Sequence, residues 1–95
     1  MQKLQFQINI PVSIIRERNK FIAYTPALDL STSGKNYLEV KKRFAEIVEI
    51  FFEEIIKRNT LEEALKDLGW TKKQTNWIPP IIISQDIQTI QVATR

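Results

Sequence analysis

The chain contains no cysteine and no histidine, and these two absences remove large parts of protein chemistry. Without cysteine there is no disulfide framework and no thiol nucleophile, and without histidine there is no Ser-His triad. Nearly every structural zinc site also needs one of these residue types. The chain has only two glycines, and neither lies in a Gly-x-Gly-x-x-Gly or Walker pattern for phosphate binding. We therefore expect no metal and no cofactor.

Long hydrophobic runs are also missing. No apolar stretch approaches the ~18 to 20 residues that a membrane-spanning helix needs. The first residues, MQKLQF, alternate as a strand does and do not resemble a signal peptide. These features predict a cytoplasmic protein with no membrane partner. The length of 95 residues, with 43% hydrophobic and 26% charged residues, predicts one folded domain covering residues 1–95.

The charge pattern gives little support to nucleic-acid binding. The formal net charge is +3 and the pI is about 9.3, but lysine and arginine are interspersed with acids. Consecutive basic residues such as those at 41–43 would point to different sides of a helix, so they form no continuous stripe. A solvated surface is the favoured interpretation. A small nucleic-acid-binding module that uses these scattered basic residues is the alternative.

The first third of the chain predicts three antiparallel strands. The first strand is predicted from a strict alternation of apolar residues: Leu4, Phe6, Ile8, Ile10, Val12 and Ile14. Pro11 interrupts it on the polar side and requires a free flank there. A polar break follows, in which Asn19 is expected to take a left-handed conformation. The second strand is predicted at 21–25 and the third at 28–32, with Gly34 as a turn glycine after it.

A long amphipathic helix is predicted from Tyr37 to Arg58. Asn36 and Glu39 have the spacing of a capping box at its start. Apolar residues recur at three- and four-residue steps and predict one buried stripe, widened at its far end by Phe52 and Ile56. The stripe comprises Val40, Phe44, Ile47, Val48, Phe51 and Ile55.

The last third predicts a short helix and a final strand. A second capping-box pattern at 60–63 begins the short helix, and Gly69 stops it. Residues 71–77 are expected to be a polar connector, and Trp70 and Trp77 to close one end of the core. The paired prolines at 79 and 80 forbid regular ladder pairing, and residues 86–94 predict the last strand.

Three segments together resemble the N-terminal domain of HicB-family antitoxins. They are FIAYTP at 21–26, SGKNYLEV at 33–40 and the Ile-Pro-Pro segment at 78–80 before the last strand. The chain departs from the family pattern in two places. Residues 27–30 replace the family's Pro-Gly turn, and Asn36 and Val40 stand where Thr and Ala are usual. The resemblance covers most of the chain.

The resemblance implies an α+β, partial ribonuclease-H-like fold with strand order 3-2-1-4 and helices on one face. It implies a non-catalytic domain that binds and neutralises a small mRNA-cleaving, HicA-like toxin. Many family members continue into a DNA-binding domain, and here we expect a domain without that extension. A stand-alone HicB-like domain with no toxin partner is a further alternative.

The residues themselves also favour binding over catalysis. A ribonuclease-H-like nuclease needs several carboxylates on its strands to hold divalent metal, and the predicted strands offer only Asp29 and Asp86. The surplus of apolar residues between Trp77 and Ile83 predicts a homodimer or higher oligomer. We expect the protein interface to use exposed strand edges and apolar anchors. The candidate interface residues are Tyr24, Leu30, Ile81, Ile82, Ile83 and Ile90.

Overall fold

A computed structural model describes residues 7–94 and has an α+β fold, as the sequence predicted. Three antiparallel strands come first: β1 (Ser13–Glu17), β2 (Lys20–Thr25) and β3 (Leu30–Gly34). They lead into a long helix, α1 (Tyr37–Lys57), and a short one, α2 (Leu61–Asp67). A small hairpin, β4 (Thr71–Lys73) and β5 (Asn76–Ile78), follows. Among the described residues, no helix is long and apolar enough to cross a membrane.

The main sheet has the order β1-β2-β3, so β2 is central. Ser13 lies opposite Tyr24, which lies opposite Ser31, and this row fixes the register of all three strands. Glu17 pairs with Lys20, which leaves a two-residue turn between β1 and β2. The left-handed residue in that turn is Arg18, with φ 56°, so the prediction for Asn19 was wrong. The first central position of such a tight turn takes the positive φ here, whichever residue occupies it.

The ends of the predicted sheet differ from the structure. β1 begins at Ser13, two residues after Pro11, and residues 7–12 form no strand. Proline has no N–H for a ladder, which accounts for the late start. The part of the predicted first strand before Gln7 lies outside the described residues. The connector expected at 71–77 instead forms the β4–β5 hairpin.

The predicted last strand at 86–94 was also wrong. Residues 79–94 contain no helix or strand, so the predicted order 3-2-1-4 is realised only for its first three strands. Alternating apolar residues allow a segment to be a strand, but a strand forms only where its backbone finds a partner. Within residues 7–94 both β1 and β3 are edge strands.

Helix α1 begins where the capping signal placed it. The Asn36 side-chain oxygen accepts a hydrogen bond from the Glu39 backbone N–H at 2.8 Å. The Glu39 carboxylate accepts from the Lys35 N–H at 3.2 Å, one residue before the expected partner. At α2 the matching expectation was wrong, because Thr60 makes no side-chain cap. Its hydroxyl donates back to the Ile55 carbonyl oxygen at 3.3 Å instead.

The core consists of two clusters along α1. The cluster near the start of α1 joins Val40 and Phe44 to Ala23 on β2. The second cluster packs Phe52 and Ile55 against α2 and the loop after β2. Its buried members are Ala27, Leu28, Phe52, Ile55, Leu65 and Trp70. The predicted stripe is therefore confirmed at Val40, Phe44, Phe52 and Ile55, which are buried. The other members are less covered: Ile47, Val48 and Phe51 are half-buried, and Ile56 is 49% exposed.

Trp70 closes the second cluster, as predicted. It is 3% exposed, its indole N–H donates to the Ala27 carbonyl oxygen at 2.7 Å, and its ring meets the edge of Phe52. Gly69 precedes it with φ 91°, the left-handed conformation that ends a helix. Trp77 is half-buried against the same cluster. The tryptophan that follows α2 thus ties the helical half of the core to the loop after β2.

Candidate interaction surface

Residues 79–94 form an arm that extends from the folded body. The radius of gyration is 16.5 Å, against about 12 Å for a compact domain of this length. The principal extents of 62 × 30 × 23 Å show that the molecule is elongated along one direction. The chain leaves the β4–β5 hairpin directly through Pro79 and Pro80, which are half-buried. Because the two prolines have fixed φ angles and no N–H groups, the β4–β5 pairing cannot continue into the arm.

The arm is apolar and exposed. Ile83 is 90% exposed and Ile87 is 100% exposed, whereas Ile82 is half-buried near the base of the arm. Three further large apolar residues are at least 70% exposed: Ile81, Ile90 and Val92. Asp86 is the only charged residue from 79 to 94. Several exposed branched apolar side chains on a segment with a single charge are typical of a surface that another molecule covers.

One hydrogen bond between described residues ties the arm to the sheet. The Gln85 side-chain amide donates to the Ser13 hydroxyl at 3.1 Å. Within the arm, the Ser84 hydroxyl donates to the Asp86 carboxylate at 2.5 Å. Ser13 is the first residue of β1, so the arm passes the free edge of the sheet at this point.

The face of the sheet away from α1 is open. Ile14 and Ala23 pack toward Val40 and Phe44 of the helix, so their neighbours along each strand point the other way. We call this surface the open face. Its residues are Ser13, Ile15, Glu17, Lys20, Ile22, Tyr24, Ser31 and Ser33. Ile15 is 52% exposed and lies opposite the half-buried Ile22, so the open face contains an apolar pair beside the β1 edge.

Tyr24 lies at the centre of the open face, with Ser13 on one side and Ser31 on the other. Its hydroxyl donates to the Asp29 carboxylate at 3.2 Å. The pKa of Tyr24 is raised above its ordinary value, first by desolvation and then by the hydrogen bond and negative charge of Asp29. Asp29 has φ 52°, a conformation that Asp and Asn adopt more readily than most residues. The loop before β3 therefore holds Tyr24 by a specific polar contact.

The structure separates the six predicted interface residues into three places. Tyr24 lies on the open face, and Ile81, Ile82, Ile83 and Ile90 lie on the arm. Leu30 is half-buried against the core cluster, on the side of the sheet opposite Tyr24. Sequence reasoning missed Ile15, Ile22 and Gln85. Ile15 is two residues after Ser13 on β1, so their side chains point to the same face of the sheet. This could be inferred only after the bounds of β1 were known.

A groove lies between α1, α2, the β4–β5 hairpin and the segment before β1. Its volume is about 430 Å³. Apolar and aromatic side chains provide most of its walls, with polar groups from Gln7, Thr75 and Asn76 at its margin. The apolar lining is Ile8, Phe52, Leu61, Leu65, Trp70 and Trp77.

Most charged groups with contacts are paired locally on helix surfaces. Arg43 pairs with Glu39, Arg58 with Glu54, and Lys66 with Glu62, each at i,i+4 spacing. The hydrogen bond from Lys66 and the charges of Lys72 and Lys66 lower the pKa of Glu62. Lys72 also lies 5.5 Å from the centre of the Trp77 ring. Within residues 7–94, no three acidic side chains come together as a metal ion would require.

No protein-family model, no curated protein and no solved structure matches this chain. The fold and the surface define a small α+β domain with an open sheet face, a free strand edge and an exposed apolar arm.

Proposed function

We propose that this chain is a non-catalytic protein-interaction domain that binds and neutralises a small mRNA-cleaving, HicA-like toxin in the cytoplasm, without a cofactor. The observation that carries this proposal is the exposed apolar arm beside a free sheet edge. An edge strand offers unpaired backbone groups, and a foreign strand that adds to it gains main-chain hydrogen bonds. The exposed isoleucines of the arm offer further apolar contacts to a partner.

The two edges of the main sheet differ in how well they are protected. β1 carries Arg16 and Glu17, whereas β3, Leu30–Gly34, carries no charge and no proline. Charged residues and prolines are the usual means of blocking edge pairing. By its own residues the β3 edge is the less protected of the two, and the Arg43 guanidinium donates to its Ser33 carbonyl oxygen at 3.1 Å. A toxin strand that adds to β3 would have to displace that contact at Ser33. The arm and the open face supply apolar anchors on the same body, with Tyr24 at the centre of the face.

The charge distribution supports a protein partner over nucleic acid. Arg43, Arg58 and Lys66 are engaged by carboxylates of their own helices, and phosphate binding would have to compete with those contacts. Nucleic-acid binding predicts a steep loss of affinity with rising salt, because each neutralised phosphate releases counterions. Binding to DNA or RNA that falls steeply with salt would replace the present proposal with that alternative.

The decisive experiment uses the product of the neighbouring reading frame. That product should be a small basic protein that cleaves mRNA when expressed alone, and co-expression of this chain should restore growth and co-purify both proteins. Leu30→Pro in β3 and Ile90→Pro in the arm, each checked for folding by circular dichroism, should weaken the complex. Gln91→Pro is the matched control for Ile90→Pro, because it places proline at the neighbouring arm position. Folded variants that all keep parental affinity would contradict edge pairing, and absence of any complex would contradict the antitoxin proposal.

The same surface supports self-association. A homodimer or higher oligomer accounts for five arm residues that stay at least 70% exposed in the single chain. Burying one such side chain stabilises by roughly 1.5 to 3 kcal/mol, so covering several of them offsets much of the cost of association.

A further inference from the structure

Within one chain, the contact between Gln85 and Ser13 shows where the arm meets the sheet. A second copy presents the same β1 edge, and in an exchange of arms the same contact would form between chains. Ser13 points to the open face, and the Gln85 amide reaches its hydroxyl at 3.1 Å. In an extended arm beside β1, Gln85 would therefore also point to the open face. Side chains alternate along a strand, so Ile83 and Ile87 would share that side. Ile83 and Ile87 then fall on the side of the sheet that carries the exposed Ile15.

The direction of the arm does not change this result. If the arm runs antiparallel to β1 with Gln85 opposite Ser13, Ile83 lies opposite Ile15. If it runs parallel in the same register, Ile87 lies opposite Ile15. Both isoleucines are at least 90% exposed, and Ile15 is 52% exposed. Either pairing forms a cross-strand apolar contact, which stabilises sheets by roughly 0.2 to 1 kcal/mol per pair beyond the backbone bonds.

Both pairings also avoid the prolines. The antiparallel register matches residues 81–85 with β1, and the parallel register matches residues 85–89. Pro79 and Pro80 stand just outside either window, so every arm residue beside β1 retains its N–H. In the single chain, however, residues 79–94 form no strand, and Ile83 and Ile87 remain in solvent.

We propose that the arm of one copy adds as a strand to the free β1 edge of a second copy, with Gln85 opposite the second copy's Ser13, and that the exchange is reciprocal. A two-fold exchange uses both arms and both β1 edges, so the assembly closes as a dimer and leaves no free β1 edge. The β3 edges remain available to another partner. This inference rests on the self-association proposed above and not on a toxin, because its test involves this chain alone.

Cysteine cross-linking tests the exchange, because the natural chain has no cysteine. Residues opposite each other on neighbouring strands, parallel or antiparallel, have Cα atoms about 4.5 to 5.5 Å apart. Disulfides need roughly 4.4 to 6.8 Å, so paired positions can be bridged. Full-length Ser13→Cys and Gln85→Cys proteins are mixed and oxidised. We expect a disulfide-linked species of twice the 11.2 kDa chain mass from the mixture and none from either variant alone.

Three outcomes of this experiment would overturn the exchange. A bridge only within the Ser13→Cys/Gln85→Cys double variant, with none between mixed single variants, would place the arm on its own β1. Cross-linking of Ser13→Cys alone would indicate direct pairing of two β1 edges. Cross-linking of Gln85→Cys alone would indicate pairing of two arms.

Light scattering on full-length variants provides an independent measurement. The parent should have the dimer mass at micromolar concentration. Ile83→Asp should raise the dimer dissociation constant by about tenfold or more if the arm is antiparallel, and Ile87→Asp should do so if it is parallel. Gln91→Asp adds the same charge outside both pairing windows and should keep the parental dimer. A monomeric parent, or dimers that tolerate both isoleucine substitutions, would contradict the exchange.

Discussion

At Gly34 the end of β3 approaches the first turn of α1 too closely for any side chain. A Cβ atom there would lie 2.8 Å from the Val40 backbone nitrogen and 2.9 Å from its Cα. Gly34 is buried and has no positive φ, so glycine is needed there because a side chain would not fit. The sequence pattern instead predicted a turn at Gly34. Gly69 is the opposite case, because it has φ 91° and the position that a Cβ atom would take lies in open space.

These two glycines should respond differently to substitution. Gly34→Ala should lower the free energy of unfolding by ~1 to 3 kcal/mol, because backbone must move to admit a methyl group. Gly69→Ala should cost about 1 to 2 kcal/mol through its left-handed backbone, and Gly69→Asn should recover part of that loss. Denaturant unfolding measures all three. Parental stability of Gly34→Ala would show that β3 and α1 do not approach as described.

Tyr24 and Asp29 provide a second test at the residue scale. Asp29→Asn keeps a residue that tolerates φ 52° and removes the charge that raises the Tyr24 pKa. The pKa should fall part of the way toward 10.0, because desolvation is the larger cause and remains. Tyrosinate absorbance in a Tyr37→Phe background reports Tyr24 alone, since the chain has two tyrosines. An unchanged titration would mean that the Asp29 contact is not formed in solution.

The sign of the linked stability follows from the raised pKa. A tyrosine with a higher pKa in the folded protein stabilises the fold fully below its unfolded value, and this contribution is lost as pH rises through the folded value. Tyr24 is an exposed hydroxyl on the open face, so solvent screens the effect and it is small. Stability should therefore decline in the alkaline range more for the parent than for Asp29→Asn.

At the scale of elements, α1 holds both halves of the core. Phe44 lies in the cluster with Ala23 of β2, and Phe52 lies in the cluster with Leu65 of α2. The neighbouring Phe51 is half-buried and meets Phe52 edge to face, with ring centres 5.5 Å apart. One helix therefore joins the sheet to the C-terminal helix and hairpin.

Truncation of these two phenylalanines should destabilise the whole domain. Phe44→Ala and Phe52→Ala should each cost ~3 to 5 kcal/mol, because each leaves a cavity in a buried cluster. Ile50→Ala, on the same helix but 62% exposed, should change stability by less than ~0.5 kcal/mol. Thermal or denaturant unfolding measures the series. If either phenylalanine variant unfolded like Ile50→Ala, the orientation of α1 on the sheet would be wrong.

At the scale of the whole molecule, the arm accounts for the elongated shape. A 95-residue chain has a limited core, and the isoleucines of the arm lie beyond its two clusters. The free energy falls when a second chain pairs with the exposed backbone groups of the arm and covers its branched side chains. Self-association then contributes to stability by mass action.

Mass action makes melting depend on concentration. We expect the melting temperature of the parent to rise with protein concentration, because only folded chains associate into the dimer. Whichever of Ile83→Asp and Ile87→Asp dissociates the dimer should melt at one temperature across the same range, near that of the dilute parent. Calorimetry over a wide concentration series measures both. A parental melting temperature that does not change with concentration would argue against a folded dimer.

Local signals explain why much of the fold was predictable. Asn36, Glu39 and the apolar spacing after them define α1 within one residue at its C-terminal end, since capping and amphipathicity act over a single turn. The glycine at 69 likewise marks the end of α2. Strands β2 and β3 were found within two residues of their ends. For these elements the information lies in neighbouring residues.

The candidate surface was only partly predictable. The apolar arm residues were identified from composition, but Ile15, Ile22 and Gln85 were not. Their place on the open face depends on the register between strands, because a shift of one residue reverses every side chain. The turn residue Arg18 and the β4–β5 hairpin were missed for a related reason, since each arises from which backbone groups pair.

The sequence by itself determined the α+β class, both helices, two of the three main strands and the apolar character of residues 81–92. Tertiary structure alone decided that Leu30 packs into the core, that Gly34 serves close approach, and that residues 86–94 form no strand within residues 7–94. The physical reason is the range of the interactions. Helix caps and amphipathic stripes are satisfied within one segment, whereas a strand needs a partner that its own sequence does not specify.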